Sequence, residues 1–398
     1  MKIVHINTFP YKATGMIMMN VHKALLKNGQ QSYVVWGRGR KPENNNEISI
    51  EDNIGIKYHG VYRRLTDKTG FASKRATKAL LSELDRIKPD IVHLHNIHGY
   101  YVNIEMLFSF LKNKSIKVVW TLHDCWSFTG HCAYFDAVGC EKWKVGCNNC
   151  PQKNTYPSSI LLDNSSWNWN KKKDLFTGAD ITLVTPSEWL KKLVKQSFLK
   201  DYPTIVINNG IDLSVFKPTT DETYLDNLRS KYGLDNRPII LGVASEWTKR
   251  KGLFDFVELS QTLLEYQFVV VGLTEKQIKS IPKTLKGIKR TNNVQELVGL
   301  YSLATIFFNP TYEDNYPTTN LEAIACGTPV FTYDTGGSPE SIVNGFGKVI
   351  SKQNFVSEVN DYINSNKIIN SVNESYSIDQ MTDKYIELYL KEKSNSVV

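Results

Sequence analysis

The chain has 398 residues, too many for one ordinary hydrophobic core, and its 41% apolar and 22% charged content is normal for soluble globular protein. No apolar run is long enough to span a bilayer, and Met1 to Pro10 lacks the apolar core of a signal peptide, so the chain reads as cytoplasmic. The net charge of +8, from 48 basic and 40 acidic residues, suits an anionic substrate or an anionic membrane surface, and without a zinc-finger, RNA-recognition or helix-turn-helix signature no nucleic acid is expected.

In chain order, Lys2 to Thr8 reads as a buried strand. Gly15 to Lys27 reads as a helix, with Ile17, Val21, Ala24 and Leu25 on one face and Gly29 as a stop. Ser32 to Trp36 is the next strand, and Arg38 to Ser73 is polar enough to read as a long surface excursion. Strands return at Ile91 to His95, Val118 to His123, Ile181 to Thr185 and Thr204 to Asn208. The scheme then repeats: strands at Ile239 to Val243, Gln267 to Val271, Thr305 to Asn309 and Pro329 to Tyr333, with helices from Leu253, at Val294 to Leu303 and at Thr319 to Cys326. This alternation implies an α/β chain with parallel sheets covered on both faces. The expected division is an amino-terminal domain over 1–207 with a cysteine-rich insertion at about 125–151, a carboxy-terminal domain over 208–377, and a last helix in 378–398 able to pack back on the first domain. Ligands of such sheets bind beyond the carboxyl ends of the strands, and two such crescents facing each other would form a cleft.

The most informative stretch runs from Asn309 to Val330. A strand ends, the acidic loop Glu313-Asp314-Asn315-Tyr316 follows, and a helix begins near Thr319. Free N–H groups at a helix start suit a diphosphate. Asp314 and Glu322 could accept hydrogen bonds from sugar or ribose hydroxyls. Thr319-Asn320-Leu321-Glu322 also fits a capping box, in which Glu322 would only satisfy backbone.

This stretch resembles the donor site of family 4 retaining glycosyltransferases, which have the GT-B fold of two Rossmann-like domains. Asn208-Asn209-Gly210-Ile211-Asp212 and Phe216-Lys217-Pro218 resemble the family's interdomain strand and linker. Arg250-Lys251-Gly252 resembles its phosphate-binding basic loop, Val270-Val271-Gly272 the strand beside the base, and Gly336-Gly337-Ser338-Pro339-Glu340 the loop after the donor helix. The region from Trp120 to Pro151, with Leu122-His123-Asp124, Trp126 and Thr129-Gly130-His131-Cys132, looks like the branch making capsular, exopolysaccharide or colanic-acid-type glycans. The resemblance implies that Lys251 with Arg250 neutralises the leaving diphosphate. It places Asp314 or Glu313 near the donor sugar and Glu322 on the ribose, with Asn315, Tyr316, Thr318, Thr319 and Asn320 along sugar or phosphate. Gly15, Ser245, Gly272 and Thr291 would also lie on the donor side. His123 would stand near the reacting sugar, with His95, His98 and Asp124 on the acceptor side. Two residues depart from the family pattern: Ser245 stands where many relatives carry arginine, and Asp314 where glutamate is usual. No cofactor is required for catalysis on this reading.

Cys132, Cys140, Cys147 and Cys150 supply four soft ligands for a structural zinc, or else a set of packed thiols in an aromatic-rich loop. Glu188 to Lys200 reads as an amphipathic helix with basic Lys191, Lys192, Lys195 and Lys200, able to rest on a membrane or to pack on a sheet. The adjacent Lys171-Lys172-Lys173 adds to the membrane reading.

The expected function is a retaining glycosyltransferase using a nucleoside diphosphate sugar, UDP by default ahead of GDP. The acceptor would be a glycan or a lipid-linked oligosaccharide in surface polysaccharide synthesis, at the inner face of the plasma membrane. The rivals are a sugar-nucleotide epimerase or phosphorylase on the same fold, and a non-catalytic sugar-nucleotide-binding scaffold that Ser245 keeps open.

Overall fold

The structure, a computed structural model, describes residues 1–342, 346–365 and 376–395. Residues 343–345, 366–375 and 396–398, parts of the expected carboxy-terminal domain and last helix, lie outside the described residues. The chain folds as two compact units, Met1–Asn209 with Asp379–Val398, and Gly210–Ile378.

The first unit is built on seven strands: β1 (Lys2–Asn7), β2 (Gln31–Trp36), β3 (Glu47–Ser49), β4 (Ile91–Leu94), β5 (Lys117–Thr121), β6 (Ile181–Thr185) and β7 (Thr204–Val206). They form one parallel sheet in the order β3-β2-β1-β4-β5-β6-β7. All residues of β4 and β6 are buried, as parallel strands covered on both faces require. The covering helices are α1 (Lys12–Lys27), α2 (Asn53–Thr66), α3 (Lys74–Ile87), α4 (Ile104–Asn113), α5 (Ser165–Phe176) and α6 (Glu188–Val194). Capping side chains set several starts: Asp52 accepts from Gly55 N–H, Asn103 from Met106 N–H and Ser187 from Leu190 N–H.

The second unit has six strands, β8 (Ile239–Val243), β9 (Gln267–Val271), β10 (Leu285–Ile288), β11 (Ile306–Asn309), β12 (Val330–Tyr333) and β13 (Gly347–Ile350), parallel in the order β10-β9-β8-β11-β12-β13. Its helices are α7 (Glu222–Tyr232), α8 (Leu253–Thr262), α9 (Glu275–Ser280), α10 (Val294–Leu303), α11 (Thr318–Ala325) and α12 (Phe355–Asn364). In each sheet the first strand is flanked on both sides, β1 by β2 and β4, and β8 by β9 and β11. Chain direction across the sheet reverses there, and a crevice opens at the carboxyl ends.

The last helix, Ile378–Asn395, covers the first sheet. Met381, Tyr385, Leu388 and Tyr389 pack with Ile3, Val21, Ile91, Val119 and Val184. Tyr385 Oη lies 2.9 Å from Thr121 Oγ1, and Thr182 donates to Glu392 at 2.8 Å.

Three expectations are corrected. The stretch read as a surface excursion, Arg38 to Ser73, holds β3 and α2. α2 escapes a search for a buried apolar stripe because the residues it buries are His59 and Arg63. The helix expected over Glu188 to Lys200 ends at Val194, and its apolar side, Leu190 and Val194 followed by Leu199, is in the core. Lys172 is not a surface charge: it is 1% exposed and donates to the Trp126 and Thr129 carbonyls at 2.7 and 2.9 Å. Among the described residues no helix is long and apolar enough to cross a membrane.

Candidate active site

The loops after β8 and β11 flank the crevice of the second sheet. The first carries Arg250 and Lys251 in a single 3-10 turn, and the second carries Thr311 to Pro317. Backbone ties hold the two together: Tyr312 N–H donates to the Arg250 carbonyl at 2.8 Å, and the Arg250 guanidinium donates to the Glu313 carbonyl. The result places Lys251 Nζ in an ion pair with the Asp314 carboxylate. A third loop, after β12, closes on the same place, where Thr335 Oγ1 donates to the Thr311 carbonyl at 2.6 Å and Gly337 N–H to the Asp314 carbonyl at 3.0 Å.

Two carboxyl groups here are pushed in opposite directions. Burial works against the charge of Asp314, but Lys251 and Arg250 outweigh it and hold the group below the usual carboxylate range. Burial pushes Glu322 up to about 7, against hydrogen bonds from Tyr301 and Thr318. Tyr301, fully buried on α10, donates to Glu322 Oε2 at 2.9 Å. The capping-box alternative for Glu322 is not what forms. α11 starts at Thr318 after Pro317, with no side-chain cap, and Glu322 is the fifth residue of the helix, not in its first turn. The first turn has no side-chain cap, and its Asn320 N–H turns back to the Pro317 carbonyl at 3.2 Å; a helix start of this kind, following the loop that carries Asp314, suits an anion.

The remaining donor-side residues divide. Asn320 is buried and structural: it accepts from Asn309 at 2.8 Å and donates to Ser341 at 2.8 Å and Ser338 at 3.3 Å, locking α11 to the loop after β12. Glu313, Asn315 and Tyr316 are buried; Thr318 and Thr319 are part-exposed at the helix start; Ser245 is exposed and Thr291 half-buried. Asp314 therefore presents its carboxylate to the basic loop, while Glu313 contributes a backbone carbonyl. Gly15 and Gly272 answer to the fold itself. A Cβ on Gly15 would meet the Phe9 carbonyl oxygen at 2.5 Å, and one on Gly272, with φ +102°, the Ala244 oxygen at 1.7 Å.

In the first unit, the expected acceptor-side residues converge past β4 and β5. His95 Nδ1 lies 3.1 Å from His123 Nε2, and His98 Nε2 lies 3.3 Å from Asp124 Oδ2. Trp126 N–H donates to Asp124 Oδ1 at 2.9 Å, and its ring stacks on His98 with centroids 5.0 Å apart. These five residues line one small pocket with Asn96 and Ser127. Burial holds His123 down to about 4, which favours the neutral imidazole, a form with one nitrogen that accepts a hydrogen bond.

His5, His93 and His95 form, among the described residues, the one trio whose ligand atoms lie within 4.8 Å of one another. His93 is committed on both nitrogens, to Thr121 at 2.8 Å and to Tyr389 at 2.6 Å. Cys132, Cys140, Cys147 and Cys150 line one cavity together with His131 and Trp143, all as free thiols, and no three of their sulfurs lie within 4.8 Å of one another. Sequence reasoning missed Tyr301, Thr335 and Ser341, because partners on separate elements leave no spacing signal along the chain.

A carboxylate–lysine pair at a switch-point crevice, near a helix start without a side-chain cap, suits an anionic ligand on a doubly wound sheet. Similarity to known proteins agrees with this. The family model described as Glycosyltransferase Family 4 matches residues 15–215, and that described as Glycosyl transferases group 1 matches residues 226–378. An Escherichia coli (strain K12) protein named as a putative colanic acid biosynthesis glycosyl transferase, WcaC, is 25% identical over 94% of this chain and 95% of its own. Sucrose-phosphate synthase from Thermosynechococcus elongatus shares the fold with a TM-score of 0.73 at 13% identity over 99% of both chains. Anabaena Alr3699/HepE, solved in complex with UDP-glucose, has a TM-score of 0.66 at 13% identity, covering 98% of this chain and 99% of its own. The chain belongs to glycosyltransferase family 4, and it is a glycosyltransferase with two Rossmann-like units of GT-B type.

Proposed function

We propose that this enzyme moves a sugar from a UDP-sugar to a glycan or lipid-linked acceptor in surface polysaccharide synthesis, with retention at the anomeric carbon. The observation that carries the reading is the Lys251–Asp314 pair, with Arg250 behind it, beside the uncapped start of α11. A UDP donor is supported by the complex of HepE with UDP-glucose, and a surface glycan by the name of the Escherichia coli relative.

On this reading Lys251 and Arg250 meet the charge that grows on the diphosphate, and α11 offers its free N–H groups to the same oxygens. Glu322, held by Tyr301, takes the ribose hydroxyls. His123, His95, His98 and Asp124 receive the acceptor on the first unit. The bond from the anomeric carbon to the phosphate oxygen breaks as the bond to the acceptor oxygen forms on the same face. The acceptor proton passes to the departing phosphate. The test is nucleoside diphosphate release across UDP-, GDP- and other nucleotide sugars, for wild type, Lys251→Ala and Glu322→Ala. Release with one donor class is expected, falling on the order of a hundredfold or more in Lys251→Ala. Binding of donor without release or transfer, even with lipid-linked glycan supplied, would point to a scaffold instead.

The four thiols are proposed as a structural zinc site. Their donor chemistry fits, since four cysteine sulfurs line one cavity and soft thiolates of this number are what a zinc ion takes; Cys132, Cys140, Cys147 and Cys150 would hold it there. The ion would cross-link the loops of the cysteine-rich segment and take no part in transfer.

A further inference from the structure

α2 presents its apolar residues to solvent. Ile54, Tyr58, Val61 and Leu65 are 79%, 62%, 58% and 44% exposed. Steps of four, three and four residues hold them within an arc of about 60° on a helix that turns 100° per residue. Such a stripe ordinarily faces the core, yet here the buried residues of the helix are His59 and Arg63.

The stripe continues onto a second segment. Ile160, Leu161 and Leu162 are 64%, 62% and 52% exposed. Ile160 N–H donates to the Arg64 carbonyl at 2.8 Å, which sets this tripeptide at the end of α2 beside Leu65. The junction is rigid. Arg63 donates to the Ser158 carbonyl, Asn164 to the Thr66 carbonyl at 2.7 Å, and Asn168 to the Asp67 carbonyl at 2.6 Å. Two exposed apolar segments are thus tied together at the end of α2, and exposed apolar surface of this extent marks a binding face.

Charge selects what binds it. α2 contains no acidic residue, and it carries Lys57, Arg63 and Arg64. Lys57 and Arg64 are exposed and lie on one flank of the apolar stripe. Tyr58 and Tyr62, stacked with centroids 6.0 Å apart, add aromatic rings of the kind that settle at a lipid–water boundary. An apolar ridge with a basic flank and an aromatic pair is the pattern of a helix lying in an anionic bilayer surface.

We propose that α2 and Ile160-Leu161-Leu162 dock this enzyme on an anionic membrane, the apolar ridge entering the interface and Lys57 and Arg64 meeting lipid phosphates. This surface replaces the α6 and Lys171-Lys172-Lys173 surface expected from sequence. It does not depend on the donor reading, since vesicle binding needs no nucleotide sugar.

The full chain is floated with vesicles of phosphatidylcholine alone and of phosphatidylcholine with phosphatidylglycerol. Three proteins are compared: wild type, the variant Ile54→Ser/Tyr58→Ser/Val61→Ser/Leu65→Ser, and Lys57→Glu/Arg64→Glu. All six positions are exposed, and circular dichroism with a thermal melt checks that each variant folds. The expected result is co-flotation of wild type with the anionic vesicles, at least tenfold less with the neutral ones, and a loss of similar size in both variants. Failure of wild type to float with anionic vesicles overturns the proposal, as does undiminished flotation of the folded serine variant. A dimer in light scattering that disappears in the serine variant, without flotation of wild type, assigns the ridge to a second copy of the chain and overturns it too.

Discussion

One carboxyl in the second unit keeps its charge and another gives it up near neutrality, and the difference comes from their neighbours. Asp314 faces Lys251 and Arg250, whereas Glu322 sits under α10 with the neutral Tyr301 hydroxyl. An unfolded glutamate titrates at about 4.3, and the folded chain holds Glu322 at about 7. The folded state therefore binds the extra proton between these values. The stability this contributes is complete below the unfolded value and is lost as pH rises through the folded one. Glu322→Gln keeps an acceptor for Tyr301 and removes the titration. Thermal unfolding from acid to mildly alkaline pH should show wild type losing stability relative to Glu322→Gln between about pH 4.3 and about pH 7, with the difference levelling off above neutrality. Parallel curves for the two proteins would mean that Glu322 does not titrate in this range.

At the scale of elements, legibility followed burial. Strands β1, β6, β8, β9 and β12 stand in the sequence as β-branched and aromatic runs, and the structure places each within a residue or two of its expected span. β10 and β13, with the sequences LKGI and GKVI, are edge strands whose lysine and glycine interrupt any apolar run, and neither was visible. α2 was missed because its apolar periodicity faces outward within a polar stretch. At the site, the motifs put Arg250-Lys251 and Asp314 on loops that the structure ties together, because loop ends of neighbouring strands must meet. Tyr301 was invisible because only packing of α10 on α11 brings it to Glu322. The cysteine-rich segment rests on thiol chemistry. Trp143 is 2% exposed and packs with Phe135 at 4.8 Å between centroids, and burial pushes the Cys147 thiol up to about 11, against the nearby Lys172, so that without a metal it stays protonated. Elemental analysis of protein purified without chelator should find one zinc per chain, absent from Cys147→Ser/Cys150→Ser and retained in Cys326→Ala, whose thiol lies in the second unit's core. Metal-free protein that melts as cooperatively as the metal-loaded form would leave the thiols as packing groups.

For the whole molecule, the order of the chain sets a constraint. The first unit is completed only by residues after Ile378, because the last helix covers β1, β4, β5 and β6. That cover is polar as well as apolar. Tyr389 Oη meets His93 Nδ1 at 2.6 Å, Tyr385 meets Thr121, and Glu392 pairs with Lys117 at 2.7 Å. Removing the helix would bare a sheet face and strip partners from buried groups, each costing about 1–3 kcal/mol. A chain ending at Ile378 should therefore fail to yield soluble protein with a folded first unit. Single changes grade the effect. Tyr389→Phe should cost about 1 kcal/mol by losing one hydrogen bond, and Tyr389→Ala about 3–5 kcal/mol by opening a cavity as well. Seven of the eight tryptophans, all but Trp247, lie within Met1–Asn209, so fluorescence during urea unfolding reads the first unit. The midpoint should fall from wild type to Tyr389→Phe to Tyr389→Ala. Equal midpoints for wild type and Tyr389→Ala would show that the helix rests on the sheet without stabilising it.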